Sequence, residues 1–350
     1  MKIILLVSSL LIGGSSQVVA DLADGLSKKA KVSVISIWNL FDQKYKDSFN
    51  KNGISTFSCN KKSKFDYFCY KNLKKILINE QPDVILTNLT SLFYCWMCKL
   101  DIPIVHIIHS EPKLDIPFIY RLLTSKSIKK GKIKLVGCSE SVTRKARQVY
   151  KREVTCINNG ISFPVVEEKE KKYDFIFVGR LCGTKRLFDL LDAVKLIQIK
   201  GKNTSLCIVG DGPLNKKLQS YIHDNDIKNV ELVGRQINVY EFLAQSRVFC
   251  LFSSYEGGPI CLLEAMHCGL PIVCSNAEGN LNFAKNAENA LVFEVGNVPK
   301  AAELMSRYLD DHDLYLRHSK QSKAMSLKFS SQNMVDSYYN YLTKIVEKGN

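Results

Sequence analysis

Short apolar segments alternate with helical segments twice along the chain, and this alternation limits the possible folds more than any other feature. The strands predicted in the first half are Ile3–Val7, Val32–Ile37, Val84–Thr87, Ile104–Ile108 and Leu135–Cys138. Those predicted in the second half are Phe175–Val178, Leu206–Val209, Val230–Val233, Val248–Phe252, Pro271–Cys274 and Ala290–Phe293. Helical segments such as Tyr67–Ile78 and Leu187–Ile199 separate them. The pattern predicts an α/β chain with two parallel sheets, each covered by helices on both faces.

The length of 350 residues is too great for one ordinary core, which favours two domains. A polar stretch without apolar periodicity, residues 165–174, lies between the two series of strands. We therefore predict a first Rossmann-like domain over 1–164, a second over 165–325, and a C-terminal helix over 326–350 that crosses back to the first. Doubly wound domains bind ligands at the carboxyl ends of their strands, so we expect a cleft between the domains.

The first twenty residues have two possible interpretations. Ile3 to Ile12 could be the apolar core of an export signal cleaved after Ala20. Alternatively, residues 3–7 form a buried strand, and Gly13 and Gly14 form a turn into a helix that continues past residue 20. The second interpretation accounts for more of the residues. It also suits the twelve cysteines, most of which lie inside apolar runs as reduced thiols in a cytoplasm would.

The net charge of +15 is concentrated in the first half. Residues 1–165 hold 26 Lys and Arg against 12 Asp and Glu, a net +14, whereas the rest hold 23 against 22. Such a field attracts an anionic partner, although a solvated basic surface is the simpler alternative. The sequence lacks the aromatic platform or recognition motif of a nucleic-acid binder.

One segment of the first half combines apolar and basic side chains. Residues 116–134 place isoleucines, leucines and a phenylalanine beside lysines and an arginine. This composition suggests a peripheral contact with an anionic membrane surface. The alternative is an ordinary sheet-covering helix with a basic exposed face.

The segment 251–274 carries the clearest chemistry. Glu256 lies in the loop after a predicted strand, and Glu264 lies in the helix that begins near Ile260. The amides around Gly258 and Ile260 form a helix N-terminus, which suits a diphosphate. Because two carboxylates would repel a phosphate, they are better suited to accept hydrogen bonds from sugar hydroxyls. By itself, the segment could equally be two surface glutamates around a helix cap.

Two further strand ends carry cationic residues or glycine. Arg180 and Lys185 follow the first strand of the second half, and their charges can neutralise a diphosphate. Gly210 and Gly212 follow the next strand and form a turn into a helix. Three loops with compatible chemistry therefore converge on one edge of the predicted sheet.

These motifs resemble those of the family 4 glycosyltransferases, which are retaining enzymes of the GT-B fold that use nucleotide sugars. The resemblance includes the two glutamates spaced as E-x7-E, "VGRL…K" at 178–185, "VGDGP" at 209–213, "NGISF" at 159–163 and "GGSSQ" at 13–17. It spans nearly the whole chain and is more specific in the second half.

The resemblance implies roles for the matching residues. Glu256 would contact the donor sugar, Glu264 the ribose of the nucleotide, and Arg180 and Lys185 the diphosphate. His109, after a predicted strand, matches the active-site histidine of the family, whereas His106 is expected within the strand. The residues expected to bind the donor besides Glu264 are Gly13, Gly14, Gly212, Gly257, Gly258 and Ile260.

Some positions depart from the family pattern. Glu278, Gly279 and Asn282 replace a Gly-Gly pair and a later glutamate, Gly258 replaces an aromatic residue, and Arg186 stands where glycine is common. Two D-x-D strings, at 224–226 and 311–313, lie in polar surroundings and are expected to be solvated turns. We therefore expect no metal site, and no cofactor besides the nucleotide-sugar substrate.

The resemblance implies transfer of a sugar, with a UDP-sugar as the favoured donor, to a lipid-linked polysaccharide or lipopolysaccharide intermediate. We expect the enzyme on the cytoplasmic face of the membrane and the acceptor on the basic first domain. Two alternatives remain at this point: a nucleotide-sugar epimerase of the same fold, and an exported two-lobed sugar-binding protein.

Overall fold

The structure is a computed structural model that describes residues 1–11, 13–63, 66 and 68–349. Ile12, Tyr67 and Asn350, which belong to three of the segments predicted above, lie outside the described residues. The chain divides into two compact units, which are residues 1–162 with 329–350 (unit 1) and residues 163–328 (unit 2). Each unit contains one parallel sheet with helices between successive strands, so the predicted α/β fold class is confirmed.

Unit 1 is built on a seven-stranded parallel sheet of order β3-β2-β1-β4-β5-β6-β7. The strands are β1 (Lys2–Val7), β2 (Lys31–Ser36), β3 (Ser55–Ser58), β4 (Val84–Asn88), β5 (Ile104–Ile108), β6 (Ile133–Gly137) and β7 (Thr155–Cys156). Strand β1 lies near the centre of the sheet, and its residues 3–7 are all buried. The strand interpretation of the first residues is therefore confirmed.

Within the described residues, seven helices connect these strands. They are α1 (Gly14–Ser27), α2 (Gln43–Lys51), α3 (Cys69–Glu80), α4 (Ser91–Met97), α5 (Pro112–Asp115), α6 (Phe118–Lys129) and α7 (Glu140–Tyr150). The sequence did not predict β3 or β7. Strand β3 is a half-exposed edge strand without an apolar run, and β7 has only two residues, so neither produces a hydrophobic pattern.

Unit 2 contains a six-stranded parallel sheet of order β10-β9-β8-β11-β12-β13. Its strands are β8 (Tyr173–Val178), β9 (Leu206–Val209), β10 (Val230–Gly234), β11 (Ser246–Leu251), β12 (Ile272–Ser275) and β13 (Ala290–Phe293). In this doubly wound order, the first strand of the unit, β8, lies at the switch point where the strand order reverses. The predicted strand bounds agree with the structure to within two residues.

Six helices accompany the sheet of unit 2. They are α8 (Leu187–Ile199), α9 (Asn215–Asp224), α10 (Tyr240–Ala244), α11 (Ile260–His267), α12 (Val298–Asp310) and α13 (His312–Ser326). Helix α8 has the predicted bounds, and the leucine and valine side chains of its apolar stripe are buried. The polar stretch at 165–172 has no regular structure, and residues 173 and 174 already belong to β8.

The last helix, α14 (Ser331–Gly349), belongs to unit 1 and packs against α1. Lys29 forms an ion pair with Asp336 of α14, with 2.8 Å between Nζ and Oδ1. Ile161 pairs with Ser330 in an isolated parallel bridge just before this helix. The end of the chain is therefore part of the packing of unit 1.

Candidate functional site

Three loops of unit 2 meet at one edge of its sheet. Strands β9, β8 and β11 are hydrogen-bonded neighbours and run parallel, so their carboxyl ends lie side by side. Arg180 and Lys185 follow β8, Gly212 follows β9, and Glu256 follows β11. The structure thus brings together the candidate residues that the sequence assigned to separate strand ends.

A buried charge pair lies at the centre of this edge. Lys185 Nζ donates a hydrogen bond to Glu256 Oε1, and only 16% of the lysine side chain and 11% of the glutamate side chain are exposed. The same carboxylate oxygen accepts a second hydrogen bond from Ser253 Oγ at 2.6 Å. Glu256 is therefore held by both a charge and a neutral donor.

The two charges of this pair stabilise each other. Burial lowers the pKa of Lys185, but the negative charge of Glu256 and the hydrogen bond to it outweigh that effect. The pKa of Lys185 is consequently raised above its ordinary value. The lysine stays cationic at neutral pH although it is largely removed from water.

Helix α11 begins directly beyond the loop that carries Glu256. Gly257 is buried, Gly258 and Glu264 are half-buried, and Ile260 is the first helical residue. Pro259 precedes it and provides no side-chain cap, so the first amides of the helix receive no acceptor from this residue. This arrangement leaves the helix N-terminus suited to an anionic ligand.

The pKa of Cys261, in the first turn of α11, reflects the burial and the charges at this edge of the sheet. Burial raises the pKa of its thiol to about 12, and the charges of Lys185, Glu256 and Glu264 also act on it. Both glutamates of the E-x7-E pair are therefore within electrostatic reach of one side chain. From the sequence, this cysteine is expected only as a small reduced core residue inside an apolar run.

Backbone contacts join the three loops. Ser254 N donates a hydrogen bond to Thr184 O at 2.8 Å, which connects the loop after β11 to the loop after β8. A Cβ atom at Gly212 would lie 2.4 Å from Leu181 O, so only glycine lets the loop after β9 approach this closely. The glycine expected to contact the donor thus has a packing role as well.

The segment that departs from the family pattern packs against the glutamate loop. A Cβ atom at Gly279 would lie 2.1 Å from Glu256 O, and Asn282 Nδ2 donates hydrogen bonds to Gly257 O at 3.3 Å and Gly279 O at 3.1 Å. Sequence reasoning missed this packing because the contacts join positions more than twenty residues apart. A glycine and an asparagine in this segment were the available signals.

The two arginines of the β8 loop differ in their surroundings. Arg180 is exposed at the end of β8. Arg186 adopts the left-handed backbone conformation, with φ of 49°, and its guanidinium binds the carboxylate of Asp189 at 2.7 Å. Arg186 therefore supplies the turn that a glycine commonly makes at this position.

In unit 1, the glycine loop leads into α1. Gly13 is extended and exposed, and its carbonyl accepts the first helical hydrogen bond from Gln17 N at 2.9 Å. Gly14 is exposed at the first position of α1, whose first turn contains no acidic side chain. The N-terminus of α1 therefore suits an anion.

His109 follows β5 in unit 1, one strand removed from β1 across β4. Both of its ring nitrogens are inaccessible to solvent and have no hydrogen-bond partner among the described residues. Burial lowers the pKa of His109 to about 4, and the charge of Asp115 opposes this only in part. The imidazole is therefore neutral at pH 7, with one donor and one acceptor unused.

His106 lies within β5, as predicted, and forms a buried network. Its Nε2 contacts Asp115 Oδ2 at 3.1 Å, and its Nδ1 contacts Thr87 Oγ1 at 3.0 Å. The other oxygen of Asp115 accepts a hydrogen bond from His109 N at 3.1 Å. Asp115, which sequence reasoning did not identify, therefore anchors the loop that carries His109.

Helices α5 and α6 of unit 1 present apolar side chains to solvent, and we call this the α5–α6 surface. Leu114 is 79% exposed, Phe118 69% and Leu122 56%, with Ile119 and Leu123 also exposed. The opposite face of α6 packs inward through Thr124, Ile128 and Tyr120, whose ring stacks on Phe93 at 3.9 Å. The basic residues on or beside this surface are Lys113, Arg121, Lys126, Lys129 and Lys130.

Among the described residues, no group of three or more His, Cys, Asp or Glu side chains is placed to hold a metal ion. None of the helices in residues 1–11, 13–63, 66 and 68–349 is both long and apolar enough to span a bilayer.

Of the two D-x-D strings, one supplies the N-cap of α13 through Asp311. All twelve cysteines are free thiols.

Sequence comparison connects both units to glycosyltransferases. The profile of glycosyl transferases group 1 matches residues 159–325, and that of glycosyltransferase family 4 matches residues 12–163. The chain is 28% identical over 300 residues to an α-1,4-N-acetyl-D-galactosaminyltransferase of Campylobacter jejuni that is named for a PP-undecaprenol-linked glycan, covering 82% of this chain and 81% of that one. It is 29% identical over 199 residues to an Escherichia coli galactosyltransferase named for UDP-Gal and a diphosphoundecaprenol acceptor, covering 55% of this chain and 51% of that one.

Solved structures show the same fold. HepE of Anabaena, solved in complex with UDP and glucose, superposes with a TM-score of 0.83 at 16% identity, covering 98% of this chain and all of that one. The sucrose-phosphate synthase of Thermosynechococcus elongatus also gives 0.83, at 15% identity, covering 99% of this chain and all of that one. The predicted GT-B fold is confirmed, and the matched proteins do not favour an epimerase or an exported binding protein.

Proposed function

Because the chain belongs to the family 4-like glycosyltransferases of the GT-B fold, we propose that it moves a hexose from a UDP-sugar to a lipid-linked glycan and retains the anomeric configuration. The observation that carries the proposal is the buried pair of Lys185 and Glu256 beside the open N-terminus of α11. A cation and helix amides suit a diphosphate, and a fixed carboxylate suits sugar hydroxyls.

In this proposal, unit 2 binds the donor. Lys185 and the exposed Arg180 neutralise the diphosphate together with the amides of Gly257, Gly258 and Ile260, and Gly212 lets the loop after β9 pack close to the loop after β8. Glu256 accepts hydrogen bonds from the sugar, and Glu264 accepts them from the ribose. The complexes of HepE with UDP and with UDP-glucose support a uridine nucleotide as the first donor to test.

The transfer step needs no enzyme nucleophile. The bond between the anomeric carbon and the diphosphate oxygen breaks, and the acceptor oxygen forms its bond on the same face. The proton of the acceptor hydroxyl passes to the departing diphosphate, whose growing charge Arg180 and Lys185 stabilise. Glu256 is engaged by Lys185 and Ser253, which suits a binding role better than a nucleophilic one.

In unit 1, His109 would contribute as a neutral imidazole. Its lowered pKa keeps one ring nitrogen as a donor and the other as an acceptor at neutral pH. Such a side chain suits a substrate hydroxyl, which can both donate and accept. Gly13, Gly14 and the first amides of α1 would offer an anion-binding loop in unit 1.

The α5–α6 surface supports an acceptor held at a membrane. Exposed leucines and a phenylalanine beside several cations suit the interface of an anionic bilayer, which would place the enzyme on the cytoplasmic leaflet. Four relatives bear names that refer to lipid-linked or lipopolysaccharide substrates, which supports the same class of acceptor.

The proposal is tested by donor binding followed by transfer. Thermal melts with UDP, GDP, ADP and their sugars should show stabilisation by one nucleotide class, with a further shift for the correct sugar. That donor is then incubated with short-chain polyprenyl-diphosphate glycans, and the anomeric configuration of the product is assigned by NMR. The proposal is refuted if no nucleotide sugar binds, and its retaining step is refuted if the configuration is inverted.

A further inference from the structure

The carboxylate of Glu256 is held asymmetrically. Within the described part of the chain, each hydrogen bond and ion pair to its side chain ends on Oε1, from Lys185 Nζ and Ser253 Oγ. The other oxygen, Oε2, remains available as an acceptor. The direction of Oε2 is consequently determined by what holds Oε1.

Ser253 is itself held by buried groups. Its side chain is fully buried, and its carbonyl oxygen accepts a hydrogen bond from Ser275 Oγ at 2.5 Å. Ser275 Oγ in turn accepts a hydrogen bond from Asn280 Nδ2 at 3.1 Å, and the same amide also donates to Ser275 O at 3.1 Å. Ser275 and Asn280 are likewise fully buried.

The hydrogen bonds of this series are all donated in the same direction, towards Glu256. Asn280 donates to Ser275, Ser275 donates to the backbone of Ser253, and Ser253 donates to Glu256. A hydroxyl has a single proton, so each serine that donates along this chain has none left to offer elsewhere. The series therefore ends on an acceptor and matches an ionised carboxylate. Buried bonds of this kind are rigid because breaking one leaves an unsatisfied polar group.

We propose that Ser253, supported by Ser275 and Asn280, is a positioning residue that aims Oε2 of Glu256 at a hydroxyl of the donor sugar. The inference rests on the proposed function and names a residue that its donor site requires. Lys185 supplies charge to the carboxylate, whereas Ser253 supplies direction, because its short side chain has few rotamers and is packed on all sides.

The proposal separates sugar recognition from nucleotide recognition. Loss of Ser253 should weaken binding of the sugar without affecting the diphosphate and the nucleotide. In Ser253→Ala, we expect the Kd of the UDP-sugar to rise about tenfold while the Kd of UDP stays unchanged, since a hydrogen bond to a charged group is lost. General damage to the fold would weaken both ligands together.

The experiment measures both Kd values by calorimetry in the wild type and four variants. Ser253→Thr keeps the hydroxyl and should restore sugar binding, and Ser220→Ala removes an exposed serine hydroxyl of α9 as a matched control. Ser275→Ala removes the support of Ser253 and should raise the Kd of the UDP-sugar by a smaller factor, about threefold. This variant also keeps the test available if Ser253→Ala melts too low to study.

The outcomes distinguish the two proposals. A raised Kd for the UDP-sugar alone in Ser253→Ala, with recovery in Ser253→Thr, supports the positioning role. Wild-type binding of the UDP-sugar in Ser253→Ala, or equal weakening of UDP and the UDP-sugar, overturns it and leaves the proposed function intact. If the wild type binds no nucleotide sugar, the proposed function fails and the positioning role fails with it.

Discussion

In each unit, the candidate residues lie at the carboxyl edge of its own parallel sheet, but the two sets differ in whether protein groups bond to them. In unit 2, Lys185 and Glu256 are buried and bonded to each other, and glycines allow the surrounding loops to pack in direct contact. In unit 1, both ring nitrogens of His109 lack a partner among the described residues, and Gly13 has open space beside it. Unit 1 also exposes the apolar α5–α6 surface.

This contrast agrees with the ligands proposed for each unit. A site whose groups already satisfy one another is preorganised, which favours a ligand of constant chemistry such as a nucleotide diphosphate. Groups without protein partners gain their hydrogen bonds only from a ligand, which leaves more freedom in what is bound. The net positive charge is also concentrated in one unit, because the surplus of +14 lies in residues 1–165.

The largest expected effect concerns the cations of unit 2. Lys185→Ala and Arg180→Ala should each reduce kcat/KM about a hundredfold, or about 3 kcal/mol, because each removes charge stabilisation of the departing diphosphate. Steady-state kinetics measures this, with the exposed Lys200→Ala as the control. Near-wild-type turnover in either variant would mean that the preorganised charge in unit 2 does not serve the reaction.

The glycines of the two units should respond differently to a methyl group. Gly279→Ala places Cβ against the carbonyl of Glu256 and should destabilise the protein by about 2 kcal/mol, because backbone atoms must move. Gly13→Ala meets nothing closer than 4.0 Å and has an extended backbone, so its melting temperature should stay unchanged. Differential scanning calorimetry measures both melting temperatures. Equal destabilisation of the two variants would mean that the two glycines do not differ in packing.

Much of this organisation could be predicted from the sequence. Buried parallel strands are continuous apolar runs, so β5, β9 and β13 were located to the residue. The residues at strand ends were also brought together as expected, since parallel strands share an edge. Local patterns therefore determine the sheets and the position of the site.

The features that the sequence did not predict depend on side-chain contacts that no local sequence pattern marks. Asp115 shows its role only through His106 and His109, and Asn280 acts on Glu256 through two serines. No periodicity marks such residues, because a single buried serine or asparagine has the same local sequence whether or not it holds a carboxylate. The exposure of Phe118 likewise depends on which face of α6 packs inward.

The charge contrast predicts that membrane binding depends on unit 1. Lys129→Gln combined with Lys130→Gln should lower partitioning onto vesicles with phosphatidylglycerol about thirtyfold, since each basic residue near the surface contributes about 1 kcal/mol. The matched control is Lys216→Gln combined with Lys217→Gln, an exposed lysine pair in unit 2. Co-sedimentation measures both, and equal losses in the two double variants would rule out the α5–α6 surface as the contact.

The neutral state of His109 should make the stability of unit 1 sensitive to acid. The pKa is about 4 in the folded protein and about 6.5 in an unfolded chain, so the unfolded chain binds the proton first. The stabilising contribution is fully present above about pH 6.5 and is lost as the pH falls towards about 4, so that about 2 kcal/mol of it is lost by pH 5.

Denaturant titrations at several pH values test this expectation. His109→Gln should show a smaller loss of stability than the wild type between neutral and acidic pH. His223→Gln, which alters a 90% exposed histidine in unit 2, should follow the wild type. If His109→Gln and the wild type lose stability in parallel, the ring is not held neutral by its surroundings.

The smallest effect concerns Arg186, where unit 2 departs from the family pattern. Its left-handed backbone favours glycine by about 1 kcal/mol, whereas the half-buried ion pair with Asp189 contributes about 0.5 kcal/mol. Arg186→Gly removes the strain and the pair together, so stability should change by less than about 0.5 kcal/mol. Arg186→Ala keeps the strain but loses the pair, and should be less stable than Arg186→Gly by about 1 kcal/mol. If the alanine variant is as stable as the glycine variant in denaturant titrations, the turn does not require the left-handed conformation, and the β8 loop is less tightly held than the rest of the unit 2 site.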